Sequence, residues 1–281
     1  MIKIITDSTA DLPEVLRRQY DIEAVPLYVV WGDMQYRDRV NITTQEFFSK
    51  LPLDPAHPTT SQPSPEDFAA AFKKAKEEGY DEIVCLTIAK ELSGTYQSAS
   101  TAAKDSDLKV HLVDSVATTM GLGWQVLAVA RTLESGASLA HALQAAQKVR
   151  DNLVTLVGLQ TIEYIVRGGR LGGAFKWLGS ALSLKPLATL DHKLGKISMV
   201  KMQRTQSSLM NELIKEFDKR LKSHQNLHLA VCYGGSEAIG KEMAAKVEEV
   251  FHPAEIMLVE YGPVLGVHSG PGGFALSGYG E

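Results

Sequence analysis

Short apolar runs alternate with stretches of helical period through the first half of the chain. Residues 2–6 read as a strand, and Asp7-Ser8-Thr9-Ala10-Asp11-Leu12-Pro13 turns the chain toward a helix, with Asp11 as its cap and Pro13 in its first turn. A second strand is expected over 24–31 and a helix start at Asn41-Ile42-Thr43-Thr44-Gln45-Glu46-Phe47, before Pro52, Pro55 and Pro58 break the pattern. Phe68, Ala69, Phe72 and Ala75 form the apolar face of a helix over 66–78. Residues 83–88 are nearly all apolar, as in a strand covered on both faces, and Ala89-Lys90-Glu91-Leu92 delivers Ser93 to the next helix. Val110-His111-Leu112-Val113 repeats the cycle, followed by Asp114-Ser115, a long apolar helix over 117–133 and another over 138–149. This order predicts a parallel sheet flanked by helices, whose ligands meet the carboxyl ends of strands, where Asp7 and Ser8 stand.

The rhythm changes near residue 153. A helix-like stretch over 159–166 precedes Arg167-Gly168-Gly169-Arg170-Leu171-Gly172-Gly173, and short strands are expected over 186–190, 196–200, 227–233, 255–261 and 274–279. Helices over 206–221 and 237–250 lie between them, and Asp191-His192-Lys193-Leu194-Gly195-Lys196 reads as a hairpin turn. The fold class is therefore α/β in two domains: 1–152 with a parallel sheet, and 153–281 an α+β domain with a mixed or antiparallel sheet. A chain of 281 residues, 44% of them hydrophobic, is long enough for two cores of ordinary size.

Charge narrows the function. The 29 basic and 33 acidic residues are mixed throughout, with a net charge of -4, so no basic stripe exists to neutralise a nucleic-acid backbone. The amino-terminal apolar run ends at Asp7, too early for a signal peptide, and no stretch approaches the roughly 20 apolar residues of a membrane span; a soluble, cytoplasmic protein is expected. Cys85 and Cys232 sit far apart in strand-like segments and read as buried thiols. The eight histidines are scattered and no HExxH is present, so neither a metal nor another cofactor is expected. Gly235-Ser236-Glu237-Ala238-Ile239-Gly240-Lys241-Glu242 matches phosphate-loop spacing until Glu242 replaces the magnesium-binding hydroxyl; a glycine turn with Ser236 as helix cap accounts for it. The glycines at 168, 169, 172 and 173 do not make a dinucleotide fingerprint.

Hydroxyl clusters carry more information. Thr59-Thr60-Ser61-Gln62-Pro63-Ser64 and Leu92-Ser93-Gly94-Thr95 stand at expected loop-to-helix junctions, where hydroxyls and free N–H groups together can hold a small anion, or Ser93 can simply cap a helix. His268 lies in a glycine-rich window, Gly262 to Gly273, read as a strand dissolving into a turn whose backbone can pass close to a ligand. Ser93 and His268 could also serve as nucleophile and base of an esterase or acyl hydrolase, although G-x-S-x-G is absent and no residue to orient His268 is evident.

Taken in order, Ile4-Ile5-Thr6-Asp7-Ser8-Thr9-Ala10-Asp11-Leu12, Thr60-Ser61-Gln62-Pro63-Ser64, Leu92-Ser93-Gly94-Thr95-Tyr96, Val113-Asp114-Ser115, Gly168-Gly169-Arg170, Lys185-Pro186, Arg204-Thr205 and His268-Ser269-Gly270-Pro271-Gly272 resemble the DegV family of bacterial fatty-acid-binding proteins. The resemblance implies two α/β domains enclosing one long-chain fatty acid, its carboxyl group held by the Thr60-Ser61 pair, Ser93 and His268; it leaves open which of Thr60 and Ser61 is closer. Gln62, Gly94, Thr95, Arg170 and Arg204 become supporting or partner-facing residues. It further implies a carrier, not an enzyme, that presents the acid to a separate ATP-binding fatty acid kinase subunit, with transient contact at a membrane surface. A lipid sensor without a kinase partner is the alternative within the same resemblance. The tunnel wall is expected from apolar helix faces such as Met120, Leu122, Trp124, Val126, Leu127, Ile162, Ile165, Phe175, Leu178 and Leu182.

Overall fold

The structure is a computed structural model that describes residues 1–171 and 184–281. Phe175, Leu178, Leu182, Gly172 and Gly173 fall outside the described residues.

The first half of the chain runs β1 (Ile2–Asp7), α1 (Glu14–Gln19), β2 (Ile22–Val25), β3 (Tyr28–Trp31), β4 (Met34–Arg37), α2 (Thr44–Lys50), β5 (Thr59–Ser61), α3 (Pro65–Glu77), β6 (Glu82–Thr87), α4 (Thr95–Lys104), β7 (Lys109–Asp114), α5 (Met120–Glu134) and α6 (Leu139–Asn152). Strands β2-β1-β6-β7 form a wholly parallel sheet. Its alternating side chains face two helical layers: Ile5, Ile83 and Cys85 pack with Phe68 and Phe72 of α3 and Ala99 of α4, whereas Ile4, Val84 and Leu86 join the cluster that contains α5. On α3 the buried face uses Ala71, and Ala69 is exposed. Capping boxes start two helices, Thr43 with Glu46 on α2 and Ser64 with Asp67 on α3.

The expected strand over 24–31 is two strands. Pro26 has no N–H for the ladder, so β2 ends in the parallel sheet and β3 begins a separate antiparallel sheet, ordered β4-β3-β5. Thr59, Thr60 and Ser61 are therefore an edge strand rather than a loop. Asp11 does not cap α1: it takes a left-handed conformation with φ 51°, and its carboxylate turns elsewhere.

The second half comprises β8 (Val154–Gly158), α7 (Glu163–Arg167), β9 (Lys185–Asp191), β10 (Lys196–Gln203), α8 (Gln206–Arg220), β11 (His228–Tyr233), α9 (Glu237–Phe251), β12 (Glu255–Glu260), α10 (Pro263–Ser269) and β13 (Phe274–Tyr279). Six strands ordered β10-β9-β8-β13-β11-β12 make a mixed sheet, parallel only between β11 and β12. The hairpin turn at 191–196 is as expected, with Asp191 Oδ1 accepting from the N–H groups of Lys193 and Leu194 at 2.7 and 3.1 Å.

Two expectations fail here. The helix expected over 159–166 is only the five residues of α7, and the strand β8 just before it was not anticipated, because periodicity does not mark a fully buried strand in a short apolar run. The window around His268 is a helix, α10, with Pro263 in its first turn and Val264 and Val267 buried. Gly266 supplies the close fit: a Cβ there would meet Phe47 of α2 at 2.5 Å.

Helix α5 joins the layers. Leu122, Trp124, Val126, Leu127 and Val129 have no exposed surface, and α5 contacts both β1 and β13. Trp124 Nε1 donates to Ser277 O at 3.2 Å, and Arg131 forms a two-pronged pair with Glu255 at 2.6 and 2.9 Å. Both cysteines are free and buried. Among the described residues, no helix is long and apolar enough to cross a membrane.

Candidate functional site

A small cavity of about 60 Å³ opens where the carboxyl end of β6, the edge strand β5 and helix α10 meet. Leu27, Ile88, Leu92, Ile197, Val264 and Leu265 give it apolar walls; Thr60, Ser61, Gln62, Ser93, Thr118, Arg170 and His268 supply its polar groups. This is the place in a parallel sheet, beyond the strand ends, where loops are free to approach a ligand. Four residues expected to hold a carboxylate, Thr60, Ser61, Ser93 and His268, share the same opening.

Their hydrogen bonds distinguish them. Thr60 Oγ1 lies 2.9 Å from His268 Nε2, joining positions 208 residues apart, whereas Ser61 Oγ turns to the carbonyl of Gln62 at 3.3 Å. Ser93 Oγ is 2.8 Å from Thr95 Oγ1 and accepts from the Thr95 N–H at 3.4 Å. Gly94, not Ser93, is the residue that precedes the first turn of α4. Its missing side chain leaves room for Gln62, whose Nε2 would stand 2.8 Å from an added Cβ. No hydrogen bond links Ser93 with His268 among the described residues; each is bonded to a different hydroxyl, Thr95 and Thr60.

His268 is a neutral imidazole. Burial, then the nearby Arg170 and His57 charges, push its pKa down to about 3. Its Nδ1 is enclosed, has no hydrogen-bond partner among the described residues, and faces Gly168, where an added Cβ would sit 2.1 Å away. The glycine beside Arg170 thus makes room for an imidazole of the same chain. Arg170 itself is held by main-chain carbonyls, donating from Nη1 to Gly168 O at 2.7 Å and from Nε to Leu92 O at 3.3 Å. Among the described residues no carboxylate pairs with it, so its positive charge remains available to an anion at the cavity edge. Arg204 is exposed at the end of β10 and does not line the cavity.

Asp7 and Ser8 are structural. Asp7 Oδ2 accepts from the Ile88 N–H at 2.7 Å and Oδ1 from the Thr9 N–H at 3.0 Å, while Ser8 Oγ accepts from the Leu27 N–H at 3.1 Å. Burial raises the Asp7 pKa to about 6. The expected tunnel residues Met120, Leu122, Trp124, Val126 and Leu127 are core, and Ile162 and Ile165 pack with Leu159; none of these lines the cavity. Sequence reasoning missed Thr118, which lines the cavity and whose buried Oγ1 has no partner among the described residues. Val116 and Thr119 beside it have φ of 53° and 46°, rare for β-branched residues, in the turn after β7. The rule that singled out Asp7, position just beyond a parallel strand, also points to Thr118.

The phosphate-loop look-alike resolves simply. Ser236 precedes α9 without a side-chain cap bond, and Gly235, at φ 69°, lets the chain pass Phe48 closely. Among the described residues no three His, Cys, Asp or Glu side chains are grouped to hold a metal ion.

The family model described as "Uncharacterised protein, DegV family" matches residues 1–281. This chain belongs to the DegV family. A DegV domain-containing protein of Streptomyces coelicolor is 35% identical over 273 residues, covering 96% of this chain and 95% of the relative. A DegV family protein from Thermus thermophilus, described as fatty-acid binding, is 35% identical with a TM-score of 0.91, covering 100% of this chain and 99% of its own. A stearic-acid-binding protein from Eubacterium ventriosum is 29% identical with a TM-score of 0.90, covering 99% and 98%. The DegV fold therefore extends across the whole chain, and its cavity is the place where β5 and β6 of the first half meet α10 of the second.

Proposed function

We propose that this DegV chain binds a long-chain fatty acid between two domains, 1–152 and 153–281, and presents the carboxyl group to a separate ATP-dependent kinase subunit for conversion to acyl phosphate. The observation that carries the reading is a hydroxyl–imidazole corner, Thr60, Ser93 and His268, closing an otherwise apolar cavity beside a cation, Arg170, that no described carboxylate neutralises. Relatives described as fatty-acid binding support it. Thr118 joins the head-group set, Gln62 and Thr95 support it, and exposed Arg204 belongs to the partner-facing surface. Such a carrier works in the cytoplasm and touches a membrane only transiently.

Magnitudes divide the labour. At roughly 0.8 kcal/mol per buried CH2, a tail of about 14–18 carbons offers on the order of 10 kcal/mol before ordering costs, against about 1 kcal/mol for each neutral hydrogen bond. The tail supplies affinity, and the polar corner fixes where the carboxyl group stops. ATP and magnesium come with the partner.

Native mass spectrometry of the purified protein should show a co-purified long-chain acid. Persistent emptiness after incubation with myristate, palmitate and oleate rules the reading out. Ser93→Ala should reduce acyl-phosphate formation with the kinase subunit about tenfold or more while lipid retention changes only a few-fold. Lipid binding with no acyl phosphate in the presence of any kinase subunit would instead identify a sensor.

A further inference from the structure

A second cluster of polar groups, buried beside β1, reaches across to the helix that carries His268. Asp11 and Asp38 are each only 2% exposed. Asp11 Oδ1 accepts from the Gly262 N–H at 2.9 Å and from Arg39 Nη2 at 2.7 Å, and the same Nη2 donates to Glu260 O at 2.6 Å. Asp38 Oδ1 accepts, at a longer 3.4 Å, from the N–H of Val264. Gly262 immediately precedes α10, whose first turn has no side-chain cap of its own and includes Pro263, which has no N–H. The two carboxyl groups thus serve the amino end of α10 from the other half of the chain by accepting from its free N–H groups.

The approach is close and held against backbone preference. An added Cβ on Gly262 would meet Arg39 Nε at 2.8 Å and Asp38 Oδ1 at 3.0 Å. Asp11 and Arg39 have φ of 51° and 60°, a region non-glycine residues seldom enter unless surrounding contacts hold them there. At the opposite end of the same short helix, His268 meets Thr60 and faces Gly168.

We propose that Asp11 and Asp38 are positioning residues of the head-group site: by clamping the amino end of α10 they fix the imidazole of His268 against Thr60. Because α10 is a single short helix of about two turns, a shift or rotation at Gly262 is carried to His268. The consequence for lipid retention rests on the fatty-acid reading; the consequence for the imidazole does not.

The experiment records side-chain nitrogen NMR spectra of histidine-labelled full-length protein, with the His268 signals assigned by their loss in His268→Asn. His192, half-buried between Val116 O and Thr155 Oγ1 at 3.2 and 3.1 Å, serves as the internal report of an intact fold. In Asp11→Ala and Asp38→Ala the His268 nitrogens should move toward tautomer-averaged values while those of His192 stay in place. Bound palmitate should then leave about fivefold faster, the factor expected for one lost hydrogen bond. Asp11→Asn, which keeps an acceptor for the Gly262 N–H, should preserve the wild-type His268 pattern. Unchanged His268 signals in both alanine variants overturn the proposal, as does an Asp11→Asn spectrum displaced as far as that of Asp11→Ala. Should an alanine variant lose the His192 signature, Gly262→Ala decides instead, since its methyl pushes directly on Arg39 and Asp38: displaced His268 signals support the clamp and unchanged ones refute it. If the wild type takes up no palmitate, the fatty-acid reading fails, and the imidazole spectra still decide the clamp.

Discussion

Gly168 holds backbone angles that alanine adopts without strain, yet a single methyl there would stand 2.1 Å from Nδ1 of His268. Space, and not conformation, is what the position provides. Gly168→Ala should therefore swing the imidazole away from Thr60 and destabilise the protein by about 1–3 kcal/mol, the usual cost of overpacking, read as a lower urea midpoint with unchanged slope. A midpoint equal to wild type would mean that the ring yields freely and the contact carries no constraint. The depressed His268 pKa has a chemical consequence as well. A neutral imidazole offers one N–H and no charge, and the Thr60–His268 bond uses one of that pair's two hydrogens, so the pair can offer a bound carboxylate one hydrogen bond at most, with a full positive charge only from Arg170.

At the scale of elements, α5 and β12 are tied by the Arg131–Glu255 pair, with His228 as a third partner at 2.7 Å. Burial alone would raise the Glu255 pKa; the hydrogen bonds from His228 and Arg131 outweigh it and hold the carboxyl down to about 2. A carboxyl held below its ordinary value stabilises the fold above about pH 4.5, and that contribution disappears as pH falls toward 2. Urea titrations should show the wild type losing about 2 kcal/mol across this window from this pair, and Glu255→Gln losing clearly less. Equal pH slopes in the two proteins would exclude the pair as a source of acid sensitivity. The same scale explains what the sequence revealed and what it concealed. β1, β6, β11 and the helices α3, α8 and α9 were legible because their apolar positions repeat with an unambiguous period and polar turns bound them. β8 was hidden in a continuous apolar run, and α10 among glycines whose purpose, close packing on Phe47 and Tyr164, appears only once the partner elements are in place. Thr60, Ser93 and His268 could be named from the resemblance; Thr118 and the Asp11–Asp38 cluster could not, since their roles depend on contacts between distant segments.

For the whole molecule, a ligand that binds only the folded state adds stability by mass action. Palmitate at about 100 times its Kd should contribute about 2.7 kcal/mol and raise Tm by about 5 °C, measured by differential scanning fluorimetry. Hexadecanol, with the same tail and no carboxylate, should give a smaller shift at equal concentration; equal shifts would deny the polar corner any part in binding. The hydrogen bond between Thr60 and His268 has a consequence for biosynthesis. Chains emerge from the ribosome amino end first, and the two sheets of the first half, with Thr60 on β5 and Ser93 beyond β6, can form long before α10 exists. Until that helix is made, the nascent protein has no imidazole at this corner, so on the fatty-acid reading proposed above acquisition of lipid should be among the last events of its maturation.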